Sequence, residues 1–182
     1  MGRIIAVANQ KGGVGKSTTA INLSACLAEK GKKVLAIDID PQGNTTSGLG
    51  VDKNTVENTL YELLLGQADA KSTIVKNVVE NLDLIPSNVN LSGAEIELIG
   101  VDDKEYILKR ITDKIRRKYD YIIMDCPPSL NMLTINALTA ATSVLVPIQC
   151  EYYALEGLSQ LIHTIDLVKE RLNKRLKMEG VV

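Results

Sequence analysis

The sequence predicts a three-layer α/β protein, in which helices flank a mostly parallel central sheet. Short aliphatic runs at 4–8, 34–37 and 121–124 are typical of strands buried on both faces. Segments with apolar residues at helical spacing separate these runs, and a glycine-rich stretch links the first run to the first helical pattern. The 182 residues, 45% of them hydrophobic, are enough for one domain with its own core, spanning 1–182.

The first part of the chain is predicted to form a strand, a loop, a helix and a second strand. Residues 4–8 form the first strand, and the apolar spacing over 17–30 predicts a helix that stops at Gly31. Residues 34–37 then form a second buried strand. The two strands should be parallel, with a right-handed crossover between them. Segment 38–51 is rich in Gly, Asn, Thr and Asp and predicts a loop.

The remaining elements follow from the same patterns. Helices are predicted at 59–65, 104–118, 131–141 and 155–177, and strands at 82–85, 121–124 and 143–148. Residues 179–182 look like a turn and the start of another strand. We therefore expect a chain that is truncated at its C terminus.

The composition and charge of the chain narrow the classes of function that the protein can have. The chain has 21 basic and 22 acidic side chains, so no global charge indicates a nucleic-acid or membrane partner. Cys26, Cys126 and Cys150 lie far apart without metal-site spacing, which favours reduced thiols that fill the core of a cytoplasmic protein. Neither a secretory signal nor a run of roughly 20 apolar residues is present, so no membrane partner is expected.

Segment 11–18 lies between the first strand and the first helix, where a phosphate-binding loop belongs. Glycines let the backbone approach phosphate oxygens, and the helix N terminus adds partial positive charge. Lys16 can reach the β and γ phosphates of ATP, and the Ser17 hydroxyl can bind Mg²⁺. The predicted cradle is Lys11, Gly12, Gly13, Val14, Gly15, Lys16, Ser17 and Thr18.

The loop departs from the usual G-x-x-x-x-G-K-[ST] pattern. Gln10 occupies the position of the first glycine, and Lys11 adds a second lysine at the front of the loop. A glycine-rich turn without a ligand is the alternative for the segment as a whole. A solvated surface lysine is the alternative for Lys11.

Three aspartates follow predicted strands. Asp125 ends the hydrophobic run 121–124, where it would contact Mg²⁺ directly or through water. Asp38 and Asp40 lie two residues apart after the second strand and can face the same side. Ligands of open α/β sheets bind at the carboxyl edge, so all three are suitably placed to hold the metal or orient water. Helix capping or turn formation is the alternative for Asp38 and Asp40.

Three longer stretches, 11–50, 119–138 and 144–158, closely resemble the ParA/Soj chromosome- and plasmid-partitioning ATPases, which are related to MinD. The motifs agree in order and spacing over nearly the whole chain. The resemblance implies a P-loop NTPase fold and an ATP-dependent sandwich homodimer in which Lys11 reaches the partner's phosphates. Lys16 and Ser17 would act within their own subunit, Asp40 would position the hydrolytic water, and Asp125 would be the Walker B carboxylate.

The resemblance also implies partners. The ATP-bound dimer would bind DNA nonspecifically, and a ParB-type centromere-binding protein would stimulate hydrolysis and release. This places the protein in the cytoplasm, associated with the nucleoid. Gly12 would lie where the two subunits approach closely. The family continues beyond this chain with strands and helices that carry adenine recognition and much of the DNA-binding surface.

Three other readings remain open. A MinD-like membrane-cycling ATPase would need a C-terminal amphipathic helix, metabolic ligases related to this group also use P-loops, and a nucleotide-free remnant would serve as a scaffold. Basic runs at 109–110, 114–118 and 169–177 alternate with acids on helices, so solvated faces are favoured over a DNA-contacting surface.

Overall fold

The computed structural model describes residues 2–149 and 154–182. Its sheet contains β1 (Arg3–Val7), β2 (Val34–Asp38), β3 (Val75–Val79), β4 (Leu82–Ile85), β5 (Tyr121–Asp125), β6 (Ser143–Val146) and β7 (Lys177–Val181). The strand order is β3-β4-β2-β5-β1-β6-β7. All neighbours pair in parallel except β3, which runs antiparallel to β4 at one edge. The predicted α/β class with a mostly parallel sheet is confirmed.

Helices connect all consecutive strands except β3 and β4, which follow each other directly. The helices are α1 (Lys16–Glu29), α2 (Asn44–Gly48), α3 (Leu60–Leu64), α4 (Ala70–Thr73), α5 (Leu91–Glu97), α6 (Ile107–Ile115), α7 (Met132–Ala140) and α8 (Ala154–Arg171). Short 3-10 turns precede and follow α6. No helix in the described ranges is both long and apolar enough to cross a membrane.

Two apolar cores, one on each face of the sheet, produce the three layers. Alternate residues of a strand point to opposite faces, so Ile4 and Ala6 join one core while Ile5 and Val7 join the other. The first core packs α3 and α5–α8 against the sheet, whereas the second contains Ala20 and Ala28 of α1. Burial on both faces explains why the central strands read as continuous aliphatic runs.

Several predicted boundaries are wrong. Segment 38–51 contains the helix α2, although its Gly, Asn and Thr content predicted a loop. The helix predicted over 155–177 ends at Arg171, and the last strand begins at Lys177, before the predicted turn at 179–182. Asn173 explains the early end, because its side-chain amide donates to the carbonyls of Leu138 and Ala141 at 2.9 and 2.8 Å.

The cysteines do not share one environment. Cys126 is fully buried beside the end of β5, as expected of core filler. Cys26 is exposed on α1, so the prediction that it fills the core is wrong. Cys150 lies outside the described residues.

Candidate functional site

The phosphate loop lies at the carboxyl edge of the sheet, between β1 and α1. Gly13 and Gly15 adopt φ values of +74° and +90°, a region that side chains with a Cβ rarely occupy. Gly15 precedes the first turn of α1, and its carbonyl accepts a hydrogen bond from Thr19 N at 2.8 Å. Because helix N-terminal amides and the N-terminal dipole favour anions, this geometry suits a phosphate group.

Neighbouring strand ends hold the front of the loop. Asn9 accepts a hydrogen bond from Lys11 N at 3.0 Å and donates to the carbonyl of Pro147 at 2.7 Å. Gln149, beyond β6, donates to the carbonyl of Gly13 at 3.2 Å. These contacts fix the loop between β1 and β6, so its position depends on the sheet and not on the loop sequence alone.

Lys16 is the buried cation of the site. Its side chain folds back over the loop, and Nζ donates to the carbonyl of Lys11 at 2.9 Å. Burial lowers its pKa, and this effect is opposed by the negative charges of Asp125 and Asp40. The sheet therefore brings the predicted phosphate-binding lysine together with two of the three predicted aspartates.

Asp125 ends β5 and is 1% exposed. Its Oδ2 accepts a hydrogen bond from the Thr45 hydroxyl at 2.7 Å, whereas Oδ1 is buried and has no hydrogen-bond partner among the described residues. Burial raises the pKa of this carboxyl, while the Ser17 and Thr45 hydroxyls lower it. Ser17 is thus close to the carboxylate without forming a hydrogen bond of normal geometry to Oδ1.

This arrangement fits Mg²⁺. A buried carboxylate oxygen without a partner is costly, and a hard cation that prefers oxygen ligands would satisfy it. Within 2–149 and 154–182, no group of three or more His, Cys, Asp or Glu residues could hold a metal ion by itself. Mg²⁺ would therefore need Ser17 and Asp125 together with phosphate oxygens and water, as is usual for this ion.

Asp38 has a different environment. Oδ2 accepts hydrogen bonds from the backbone N–H and the hydroxyl of Thr46, both at 2.7 Å, and Oδ1 accepts from Asp40 N at 3.2 Å. Burial raises the pKa of Asp38 to about 7, although these hydrogen bonds act to lower it. Because the protein already satisfies both oxygens, Asp125 is the better candidate for direct contact with the metal. The role of Asp38 at the metal stays a prediction.

Asp40 follows β2 and is buried, with an exposure of 7%. Its Oδ1 accepts a hydrogen bond from Gln42 N at 2.9 Å, which closes a turn after β2. Its carbonyl accepts a hydrogen bond from the Ser87 hydroxyl at 2.8 Å. Asp40 thus does form a turn, as in the alternative reading, while its charge also acts on Lys16. Its role in orienting water stays a prediction.

Sequence reasoning missed Thr45, Thr46 and Ser87. The first two lie in α2 and place hydroxyls on Asp125 and Asp38, while Ser87 N donates to the Thr46 hydroxyl at 2.9 Å. The segment from β2 to α2 is therefore tied to the end of β4. The only signal in the sequence was two consecutive threonines in a segment interpreted as a loop.

Cys126 does not take part in the site chemistry, although it follows Asp125. It is fully buried, and burial together with the charge of Asp125 raises the pKa of its thiol. A thiol that stays protonated is a poor nucleophile and a poor metal ligand. Packing is its role.

The fold and this site define a P-loop nucleotide-binding protein. A family described as an AAA domain matches residues 2–178. The chain is 59% identical to the sporulation initiation inhibitor protein Soj of Bacillus subtilis and 53% identical to the chromosome partitioning protein ParA of Myxococcus xanthus, in each case over its full length. It spans 72% and 64% of these two relatives. The chain belongs to the ParA/Soj family of P-loop ATPases.

Two solved structures have closely similar folds. A Mycobacterium smegmatis structure named cobyrinic acid a,c-diamide synthase, with bound ATP analog and magnesium, matches the whole chain with a TM-score of 0.96 at 43% identity. A plasmid partition protein from Borrelia burgdorferi matches 99% of the chain with a TM-score of 0.85 at 36% identity. The chain covers 74% and 78% of these two structures.

Proposed function

We propose that this protein is a partitioning ATPase that binds ATP with Mg²⁺, hydrolyses it and uses the cycle to segregate a chromosome or plasmid. One observation carries the proposal. The loop with two lysines converges with an unpartnered carboxylate oxygen of Asp125 at the same sheet edge, in a chain closely related to Soj. The M. smegmatis relative binds an ATP analog and magnesium at 43% identity, which supports the same ligands here.

Each residue of the site has a part in hydrolysis. Backbone N–H groups of residues 12–17 and the Lys16 ammonium would hold the polyphosphate, and Ser17 and Asp125 would hold Mg²⁺. The metal neutralises charge that develops on the phosphate oxygens. Asp40, whose charge acts on Lys16, would orient the attacking water. Asp38 would keep Thr46 and the segment around Asp40 in place.

The proposed active form is an ATP-dependent homodimer with Lys11 directed at the partner's phosphates. Gly12 supports this arrangement. It is exposed, and a Cβ added there would meet no atom within 4 Å in its own chain. Its φ is not in the left-handed region that Gly13 and Gly15 occupy. Neither packing nor backbone strain inside the subunit therefore requires a glycine here, which points to contact with a second subunit.

The dimer would bind DNA nonspecifically, and a ParB-type centromere-binding protein would stimulate hydrolysis and release. The protein would therefore work in the cytoplasm, on the nucleoid. The names of the B. subtilis, M. xanthus and B. burgdorferi relatives support this part of the proposal.

Retention of the full-length protein on duplex DNA tests the proposal. We expect strong retention with ATP and Mg²⁺, and weak retention with ADP or without nucleotide. Lys16→Ala should abolish the response to ATP because the buried cation of the cradle is lost. Retention that is indifferent to the nucleotide would remove the switching model.

An ATP-dependent ligase is a second candidate, because the M. smegmatis structure carries the name of a diamide synthase. A ligase would hydrolyse ATP in response to a carboxylic-acid acceptor and an amine donor, and would ignore DNA. ATP turnover measured with duplex DNA plus a ParB-type partner, and separately with small carboxylic acids plus glutamine, distinguishes the two. Stimulation by the second mixture alone would favour the ligase.

A further inference from the structure

A second cavity opens at the amino edge of the sheet, opposite the nucleotide site. Its volume is about 780 Å³, within the roughly 300–1,000 Å³ range of small-molecule sites. The first residues of β1, β6 and β7 form one wall, and the segments that follow α6 and α8 complete it. We call it the basal cavity. Its cationic lining residues are Arg3, Arg116, Lys169, Lys174, Arg175 and Lys177.

The lining contains one carboxylate, Glu179, and a second carboxylate outside it, Asp113, pairs with Arg116 at 3.5 Å. Glu179 accepts hydrogen bonds from Arg3 at 2.6 Å through both of its oxygens, so Arg3 already neutralises its negative charge. Lys169, Lys174, Arg175 and Lys177 form no ion pair within the described residues. Like charges gathered around a cavity repel one another, and this repulsion is relieved when an anion enters.

Two residues of the cavity lining each have one buried polar atom without a hydrogen-bond partner among the described residues. Arg116 donates to the carbonyl of Gly2 at 3.0 Å and lies 3.5 Å from Asp113, which leaves Nε unpaired. The Ser143 hydroxyl, on a residue that is 4% exposed, is also unpaired. It is near enough to Glu179 to lower the pKa of that carboxyl, but does not form a hydrogen bond of normal geometry.

We propose that the basal cavity binds a small anion carrying at least two phosphate groups. Arginine and lysine donors such as those that line this cavity are the chemistry that recognises phosphate oxygens. The cavity is large enough for more than one such group. Arg116 and Ser143 line the cavity, whose size suits a small anion rather than the backbone of a rigid duplex. The proposal is independent of the ATPase cycle because the cavity shares no residue with the nucleotide site.

Calorimetric titration with inorganic pyrophosphate tests the proposal on the full-length protein, with the nucleotide site saturated by Mg²⁺ and ADP. We expect one further binding event per subunit. The double variant Lys174→Gln and Lys177→Gln should weaken it roughly tenfold or more, because charge-assisted hydrogen bonds are lost. Arg117→Gln is the matched control, since Arg117 is an exposed neighbour of Arg116 outside the cavity.

Arg116→Gln is the second variant, combined with a thermal melt because Arg116 also anchors Gly2. A folded Arg116→Gln protein that has lost pyrophosphate binding supports the proposal. Absence of the further binding event, or unchanged affinity in the double variant, overturns it. Displacement of pyrophosphate by duplex DNA would assign the surface to nucleic acid and would also overturn it. ATP turnover should be unchanged in all three proteins, so failure here is separable from failure of the proposed function.

Discussion

The three aspartates at the carboxyl edge of the sheet differ mainly in which of their oxygens accept hydrogen bonds from the protein. Asp125 keeps one buried oxygen unpaired, Asp38 has both oxygens on protein donors, and Asp40 closes the turn after β2. Three carboxylates that look equivalent in sequence therefore have different chemistry. The first is suited to a cation, the second to holding backbone, and the third to acting on the charge of Lys16.

Gly12→Val tests the contact between subunits. Because a Cβ meets open space there, the variant should fold with wild-type stability and still bind ATP, while the ATP-dependent dimer is lost. Light scattering coupled to size exclusion, with ATP and Mg²⁺, measures this. Gly100→Val is the control, since Gly100 is equally unobstructed and lies outside the loop. A Gly12→Val protein that dimerises normally would contradict the arrangement.

Asp40→Ala tests the orientation of water. Turnover should fall by roughly a hundredfold, a typical effect of removing a general base, while ATP-dependent dimers persist. Asp40→Asn retains an acceptor for Gln42 N and removes only the charge, so it should lose turnover equally. Steady-state ATP hydrolysis is the measurement. Unchanged hydrolysis in both variants would exclude this role.

At the scale of elements, α2 is held by contacts to the strand ends. Thr46 is fully buried, donates to Asp38 and accepts from Ser87 N, and so joins β2, α2 and the end of β4. Such a helix of five residues has little stability of its own. Its existence depends on these tertiary hydrogen bonds.

Thr46→Val should therefore lower the free energy of unfolding by roughly 2–3 kcal/mol, because Asp38 loses a donor and Ser87 N is left unpaired. Ser47→Ala, on the exposed side of the same helix, should change it by no more than about 0.5 kcal/mol. Urea denaturation measures both. Equal stabilities of the two variants would argue against the network.

The edge formed by β3 and β4 makes a pH-dependent contribution to the stability of the folded protein. The Tyr119 hydroxyl donates to Asp83 at 2.6 Å and accepts from Lys76 at 3.0 Å, and burial raises the pKa of Tyr119 to about 12. Between about pH 10 and about pH 12 the unfolded chain has lost this proton and the folded chain retains it. Stability must therefore fall as the pH rises through this window.

Tyr119→Phe should reduce this pH-dependent decrease in the free energy of unfolding by roughly 1–2 kcal/mol, a value lowered to allow for partial solvent screening. Urea titrations at both ends of the window provide the measurement. Lys76 also has a raised pKa and contributes with the same sign, so Lys76→Met in the Tyr119→Phe background separates the two. Parallel pH curves for wild type and Tyr119→Phe would contradict the assignment.

Elements whose own residues determine them were predictable from the sequence. Burial on both faces produces the aliphatic run of β2, and the glycines with Lys16 and Ser17 predicted the cradle. Elements determined by distant partners were not. The edge strand β3 is half exposed and turns through Asn77 at φ +52°, so it shows no buried pattern. Likewise α2 depends on Asp38 and Asp125, which no local propensity reports.

At the scale of the whole molecule, ligand binding and folding are coupled. The loop is fixed through Asn9, Pro147 and Gln149, so filling the cradle should stabilise the sheet around it. ATP with Mg²⁺ at a hundredfold excess over its Kd should raise the free energy of unfolding by about 2.7 kcal/mol. Lys16→Ala should abolish this increase in a thermal melt. Lys30→Ala, at the exposed end of α1, should retain it, and a loss in both variants would contradict the site.

The strand order also constrains synthesis on the ribosome. β1 is made first but lies between β5 and β6, and the earlier of these begins only at Tyr121. At about 5–20 residues per second, the emerging β1 waits roughly 6–23 s for its first hydrogen-bonded neighbour. During that interval an aliphatic segment is exposed as the nascent chain grows. We therefore expect the nascent chain to bind chaperones near the ribosomal exit tunnel.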